Sequence, residues 1–208
     1  DLRDAPDWAL GMTVLATGPV DPDFKKGTAL KLKSMAQMRG TVDSVNASSG
    51  SFQLLGSIVS VDQETVWADL AGLANLAAGA KVQVWALPVA SGELRATRIQ
   101  TQGVAGPTLV TGVVSGLDAG NKTFHLGSLV VDYGTAGTKP AHGLGGGRII
   151  RVAAAAAPVG GYLRASDIEG WYALSTVAEA RVQLEGVIAD FDAVSKRAFK
   201  LMGVAIDA

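Results

Sequence analysis

Histidine offers acid–base chemistry near neutral pH, and the chain contains two histidines, His125 and His142. His125 follows Phe124 in a strand-like run, and His142 opens a glycine-rich loop. A catalytic histidine needs a nucleophile or a carboxylate placed beside it, and the sequence contains no G-x-S-x-G elbow. Two scattered histidines in a chain without cysteine also supply too few ligands for a zinc site. We therefore predict no catalytic, cofactor-binding or metal-binding residues, and a protein that is not an enzyme.

The glycine-rich run HGLGGGR begins at His142 and invites comparison with a phosphate-binding loop. Such a loop needs a following helix whose N-terminus faces the anion. The next residues, RIIRV, have the alternation of a strand instead. We predict a loop between strands, while Arg148 and Arg151 leave contact with an anion open.

An aspartate recurs after apolar strand-like runs, at Asp62, Asp132 and Asp207, and Thr65 and Thr135 follow the first two. A calcium loop gathers several oxygen ligands within a dozen residues, which these pairs do not. Aspartate commonly accepts hydrogen bonds from the backbone of its own turn. We predict that these aspartates cap turns.

Four tryptophans are the strongest candidates for ligand contact, because exposed aromatic rings on small barrels stack on bases or sugars. They are Trp8, Trp67, Trp85 and Trp171. Two of them fall in the repeat described below, where Trp85 aligns with Ala153 and Trp67 with Gly137, so they are not repeated features. We favour ordinary packing or module contacts for them.

Arginine, in contrast, recurs at one position of that repeat, as Arg95 and Arg164. The recurrence leaves two interpretations open, a salt bridge or a shared ligand-facing surface. Trp67, Trp85, Arg95 and Arg164 are thus our candidates for ligand contact.

The composition of the chain limits the classes of partner that we expect it to bind. The chain has 208 residues, 48% hydrophobic and 18% charged, with a formal net charge of -1. This describes a globular chain, and without a basic cluster nucleic acid is not the expected partner. The longest apolar stretch, residues 152–161, is too short to span a bilayer, so we expect no transmembrane segment.

An internal repeat is the main signal of organisation. GELRATRIQ at residues 92–100 matches GYLRASDIE at residues 161–169, and glycine and apolar positions upstream of each match as well. We predict one complete module at residues 39–105 and a second at residues 106–175. Residues 1–38 match the rear half of a module, with a strand-like stretch at residues 30–35, and residues 180–208 match a front half.

Each complete module reads as five to six short strands with tight turns, which predicts an all-β fold of small barrels. Gly56 is expected to mark a bend or a bulge before the strand-like run SIVSVD. In the last strand, Ile99 falls out of phase with Leu94 and Ala96, which predicts a bulge near Thr97 and another near Ser166. Bent strands with bulges are what closing a small barrel requires.

A half barrel would expose an unpaired sheet edge, which is an aggregation hazard. We therefore favour a third barrel, in which residues 1–38 pair with residues 180–208. The alternative is that the native chain continues and completes both halves.

The repeat pattern G-x-[IV]-x-x-[VLF], then G-x-F-x-[LV]-x-G, then G-x-L-x-A-x-x-I resembles a bacterial family of tandem domains of unknown function. The resemblance implies barrels similar to the OB-fold, in exported or envelope proteins, and hence a periplasmic, cell-envelope or extracellular location. It carries over no functional residues.

Three functions follow as hypotheses. The first is a non-enzymatic binding or scaffold protein of the bacterial envelope, with a protein, peptide or glycan partner. The second is binding of single-stranded nucleic acid or an oligosaccharide by the barrel faces. The third is a hydrolase with its site at a module junction near His142. The oligomeric state stays open.

Overall fold

The computed structural model describes residues 9–17, 19, 28–89, 93–140, 143–170, 188–189, 198–201 and 204–207. Within these ranges the fold is almost entirely β, as predicted, and the helical geometry consists of a single 3-10 turn at Leu73–Asn75. The strands are β1 (Val14–Thr17), β2 (Lys31–Ser34), β3 (Met38–Asn46), β4 (Ser51–Leu54), β5 (Ser57–Ser60), β6 (Val66–Trp67), β7 (Lys81–Pro88), β8 (Leu94–Gln100), β9 (Thr108–Asp118), β10 (Thr123–Leu126), β11 (Leu129–Asp132), β12 (Ile149–Ala154), β13 (Tyr162–Arg164), β14 (Asp167–Gly170), β15 (Ile188–Ala189), β16 (Ala198–Leu201) and β17 (Val204–Asp207).

Five strands of the first half form a closed barrel, which we call the first ring. Strand β3 pairs with β4 and β4 with β5, both antiparallel. Strand β5 then pairs parallel with β8, β8 antiparallel with β7, and β7 antiparallel with β3, which closes the ring. The short β6 adds to β8 in parallel. The prediction of a small β-barrel is confirmed.

Strands β9 to β14 pair in the same order and form the second ring. Antiparallel pairs join β9 to β10, β10 to β11, β12 to β14 and β12 to β9, and β11 pairs parallel with β13. Here β13 and β14 share the position that β8 holds alone, and Ala165 and Ser166 separate them.

The predicted bulge at Thr97 is present. Trp85 of β7 faces Arg98, and the next residue, Ala86, faces Ala96, so Thr97 is the extra residue of β8. The insertion changes the phase of the strand, and Leu94, Ala96 and Ile99 are therefore all buried.

In the second ring the irregularity at Ser166 takes a different form. The strand stops at Arg164 and resumes at Asp167, which faces Ala153. Leu163 and Ile168 are nevertheless both buried, as the predicted change of phase requires.

The bend expected at Gly56 is a hairpin turn between β4 and β5. Leu55 and Gly56 link β4 to β5 with φ values of 52° and 77°. Positive φ at both turn residues matches the right-handed twist of the flanking strands. Leu55 tolerates this conformation because its side chain is 4% exposed and packs on Gly40, where a side chain would overlap it.

The two rings meet through backbone contacts at two places. Strand β3 pairs with β9 at Arg39 and Leu109, so the sheet continues from one ring into the other. Thr111 Oγ1 donates a hydrogen bond of 2.9 Å to the carbonyl of Gln37.

The second meeting place joins the β4–β5 turn to the β10–β11 turn. The backbone N–H of Ser128 donates to the carbonyl of Gly56 over 3.1 Å. Gly127 has a φ of 58°, and a methyl group on it would overlap the same carbonyl. The glycine is needed for the close approach of the two turns as well as for its own conformation.

The N-terminal segment packs on the first ring. Its strands β1 and β2 form an antiparallel hairpin, which confirms the strand predicted within residues 30–35. Thr97 Oγ1, on the bulge, donates to the carbonyl of Gly11 over 2.7 Å, and Trp85 Nε1 donates to Ser34 Oγ over 2.9 Å.

Strands β15, β16 and β17 form an antiparallel sheet at the other end of the chain. Among the described strands, the β1–β2 hairpin and this sheet have no pairing with each other. The third barrel, which would join residues 1–38 to 180–208, stays a prediction.

We expect Gly127→Ala to destabilise the protein more than Gly147→Ala. Both glycines have positive φ, which costs an alanine about 1–2 kcal/mol, but nothing lies within 4 Å of the added carbon at Gly147. The overlap with Gly56 should add about 1–3 kcal/mol for Gly127→Ala. Urea unfolding of the two variants measures the difference. Equal losses would contradict the close turn contact.

Candidate functional site

A cleft of about 510 Å³ opens at the junction of the two rings and the N-terminal segment. We call it the junction cleft. Six of its lining residues are direct cross-strand neighbours in one line, which we call the floor row. In order across the sheet they are Gln100, Gln83, Arg39, Leu109, Ala153 and Asp167.

The floor row exists because the sheet is continuous. It crosses β8, β7, β3, β9, β12 and β14, taking three strands from each ring. Neighbouring strands lie about 4.8 Å apart, so three steps from Arg39 to Asp167 span about 14 Å. Leu109 and Ala153 fill the interval with aliphatic surface.

Arg39 is held in a fixed position at the middle of the floor row. Its Nε donates to Gln83 Oε1 over 2.7 Å, and one terminal nitrogen donates to the carbonyl of Pro107 over 3.1 Å. Gly106 lies beside the guanidinium, and a Cβ there would be 2.7 Å from that nitrogen. Burial lowers the pKa of Arg39, because the charged form loses solvation.

Arg39 has no carboxylate within ion-pair distance among the described residues, and the same part of the chain offers Asp167 no cation. Arg151, in contrast, is paired with Glu169 across β12 and β14. The side chain of Arg151 also reaches Met35 Sδ of the N-terminal segment at 3.6 Å. Lys33 of β2 also lines the cleft, is exposed, and has no ion pair among the described residues. The cleft lining therefore holds one neutralised ion pair and three charged side chains without such a partner in the described part of the chain: Lys33, Arg39 and Asp167.

The cleft is open because Ala153 stands where the first ring has Trp85. Strand pairing shows that the two positions correspond. In the first ring, Trp85 follows Val84, which faces Met38. In the second ring, Ala153 follows Val152, which faces Val110. A methyl group in place of an indole leaves space on the side of the second ring.

Trp85 is 1% exposed, so packing accounts for it, as favoured above. It is covered by the N-terminal segment through Ser34, and the guanidinium of Arg98 lies 6.0 Å from its ring centroid. Trp67 is half-buried and packs against the hydrophobic core. Trp85 is part of the lining of the junction cleft, and Trp67 is not. Ligand contact by either tryptophan stays a prediction.

Arg95 and Arg164 both form salt bridges in the structure, and ligand contact by either arginine stays a prediction. Arg95 contacts Asp62 at 2.9 Å and Glu64 at 3.2 Å. Arg164 Nε lies 3.7 Å from Asp132 Oδ2. Neither arginine lines the junction cleft.

The predicted turn caps are present at two of the three aspartates. Asp62 Oδ1 accepts a hydrogen bond from the N–H of Glu64 at 2.9 Å, and Thr65 Oγ1 accepts one from the N–H of Asp62 at 3.1 Å. Asp132 Oδ1 accepts one from the N–H of Gly134 at 2.8 Å. The side chain of Asp207 and those of Trp8 and Trp171 lie outside the described residues.

The remaining candidates lie apart from the cleft or outside the description. His125 is exposed on β10, with its ring against Gly116. His142 lies outside the described residues, so the hydrolase hypothesis near it stays a prediction. The stretch after the glycine-rich run is the strand β12, as predicted.

A metal-binding cluster and a membrane-spanning helix are both absent from the described ranges. These residues contain no group of three or more His, Cys, Asp or Glu side chains arranged to hold a metal ion. They also contain no helix with the length and hydropathy needed to cross a membrane.

The sequence reading missed most of the floor row. Its residues alternate with buried ones, as Gln83 does between Val82 and Val84, so strand periodicity places them on outward faces. Alternation does not reveal which strand of one ring continues the sheet of the other, and that pairing brings Arg39 beside Leu109.

We expect Arg95→Gln to raise the pKa of Asp62 toward its ordinary value. Hydrogen bonding by Arg95 is the main reason that the pKa of Asp62 is lowered. A carboxyl with a lowered folded pKa adds stability above its unfolded pKa, and that stability is lost as the pH falls through the folded value. The pair is exposed, so the effect is below about 1 kcal/mol. An NMR titration of Asp62 measures the shift, with Arg148→Gln as the control that should leave it unchanged.

Comparison with known proteins gives one match. Residues 39–100, which span the first ring, match the family model of DUF5666, a domain of unknown function. No curated protein and no solved structure matches the chain.

Proposed function

We propose that the chain is a non-enzymatic binding or scaffold protein built from repeated OB-like barrel modules, with its ligand site in the junction cleft. The observation that carries the proposal is the floor row, in which a continuous sheet presents hydrogen-bonding, charged and aliphatic side chains along one line. Sites on strands hold their side chains more rigidly than sites on loops, which lowers the entropic cost of binding.

Strand register supports the view that the rings are copies of one module. Phe52 faces Val59 in the first ring, and Phe124 faces Val131 in the second. In the C-terminal sheet, Phe199 of β16 faces Ile206 of β17 in the same hairpin arrangement. A junction between two copies of a barrel is a common place for a binding cleft.

The compartment is a further part of the proposal. The resemblance of the repeat to tandem domains of exported proteins favours the bacterial cell envelope. This part rests on that resemblance alone and is independent of the cleft.

The chemistry of the cleft favours recognition of a ligand with both polar and apolar groups. Gln83 and Arg39 are bonded to each other, and Arg151 is bonded to Glu169, so these side chains are held in position before a ligand arrives. Leu109 and Ala153 add apolar contact between them. Prearranged donors around an apolar patch are typical of binding sites.

We expect Ala153→Trp to abolish binding by filling the cleft. The experiment first screens the purified chain against arrays of immobilised heptapeptides and oligosaccharides, and then titrates the strongest hits. The indole at residue 153 should weaken those hits at least tenfold, because it occupies the space left by the alanine.

Ile58→Trp is the matched control, since Ile58 is 45% exposed on β5 and does not line the cleft. It should leave the affinities unchanged. Arrays without hits, or hits that bind Ala153→Trp as tightly as the parent chain, would overturn the proposal. Tight binding of a single-stranded oligonucleotide instead would favour the nucleic-acid hypothesis.

A further inference from the structure

We infer that the ligand of the junction cleft is an extended peptide segment that crosses the strands, with an acidic side chain at Arg39 and a basic side chain at Asp167. An aliphatic side chain of the peptide lies between them, over Leu109 and Ala153. The inference rests on the proposed function and names the class of ligand.

Charge is the first argument for the acidic group. A guanidinium that is partly removed from water is costly unless an anion accompanies it. Arg39 is half-buried, and its known bonds are to the neutral oxygens of Gln83 and Pro107. A carboxylate from a ligand would supply the charge that the described part of the protein does not, and arginine binds carboxylates with well-defined geometry.

Asp167, at the end of the floor row, supplies the opposite charge. Asp167 lines the cleft beside the neutralised pair of Arg151 and Glu169, and no cation of the described residues pairs with it. A basic group in the ligand complements it. The floor row thus has a direction, from the positive Arg39 at its middle to the negative Asp167 at its end, with aliphatic surface between.

Spacing is the second argument. In an extended peptide, residues i, i+2 and i+4 point to the same side, and i and i+4 are about 13 Å apart. Arg39 and Asp167 are three strand spacings apart, about 14 Å. A peptide with an acidic residue at i, an aliphatic residue at i+2 and a basic residue at i+4 therefore matches the row at all three points.

The aromatic content of the cleft favours a peptide over an acidic sugar. Sugar rings are commonly bound by stacking on exposed aromatic faces. The aromatic residue of the cleft lining is Trp85, which is 1% exposed and hydrogen-bonded to Ser34. The surface offered to the middle of a ligand is aliphatic instead.

The test uses acetyl-TETLTKT-amide as the probe, titrated into the full chain by isothermal calorimetry at low salt. Replacing its glutamate or its lysine by glutamine should weaken binding about tenfold each, because each change leaves one protein charge unpaired. Arg39→Gln should weaken the parent peptide by a similar factor, whereas Arg148→Gln, the same change at an exposed site outside the cleft, should not.

A charge exchange separates recognition from structural damage. Arg39→Glu should lose the parent peptide and bind acetyl-TKTLTKT-amide better than the unaltered chain does. A melting temperature close to that of the unaltered chain would confirm that the variant is folded, and Arg39→Lys provides a milder change if it is not.

The outcomes distinguish the two proposals. If Ala153→Trp abolishes binding of the array ligands but Arg39→Gln leaves their affinity unchanged, the inference is wrong and the proposed binding function stands. Failure of acetyl-TETLTKT-amide to bind at millimolar concentration, or preference for uronic-acid oligosaccharides, would also overturn the inference. If no array gives a hit, the proposed function and the inference are both overturned.

Discussion

The pairing of β3 with β9 is the contact on which the organisation of the molecule depends. It joins Arg39 to Leu109 and makes the closed first ring and the strands of the second ring parts of one sheet. Closed barrels have no free edges, so they ordinarily meet through side chains. Here the pairing aligns six strands in one register, and this register sets which side chains share the floor row.

The contacts at this junction are related by a local twofold symmetry. Arg39 of β3 and Thr111 of β9 hold corresponding positions, because Gly40 faces Val82 as Gly112 faces Ile150. The pair of Arg39 with Leu109 therefore has a counterpart in the bond between Thr111 and Gln37. The contact of the two hairpin turns, from Ser128 to Gly56, lies where such an axis would pass. Isologous contacts of this kind are usual between identical subunits, and here they join two segments of one chain.

The sequence was sufficient for the features that depend on local periodicity. It placed the strands, and it placed the bulge at Thr97 because Ile99 falls out of phase with Leu94 and Ala96. It did not predict that Leu55 and Gly56 form a hairpin turn, since a leucine with positive φ is unusual and depends on its packing over Gly40.

The sequence could not predict the candidate site, for a related reason. Of the four residues predicted to contact a ligand, the tryptophans were chosen for their aromatic type and the arginines for their recurrence in the repeat. The structure places Arg95 and Arg164 in salt bridges away from the cleft. The floor row consists of ordinary residues whose importance comes from the pairing of strands in different rings. A contact of that kind has no signature in local sequence, because its partners lie far apart along the chain.

The two rings differ in the side chains that line their junction. If the rings were identical, the cleft would be lined by the same residues from both sides. Instead, Trp85 and Arg98 of the first ring are covered by the N-terminal segment, while Ala153 and Asp167 hold the matching positions of the second. One half of the junction is filled and the other is open, with a cation near its centre and an anion at its end. The two rings therefore share a pattern of strand pairing, and the side chains at matching positions, such as Trp85 and Ala153, differ between them.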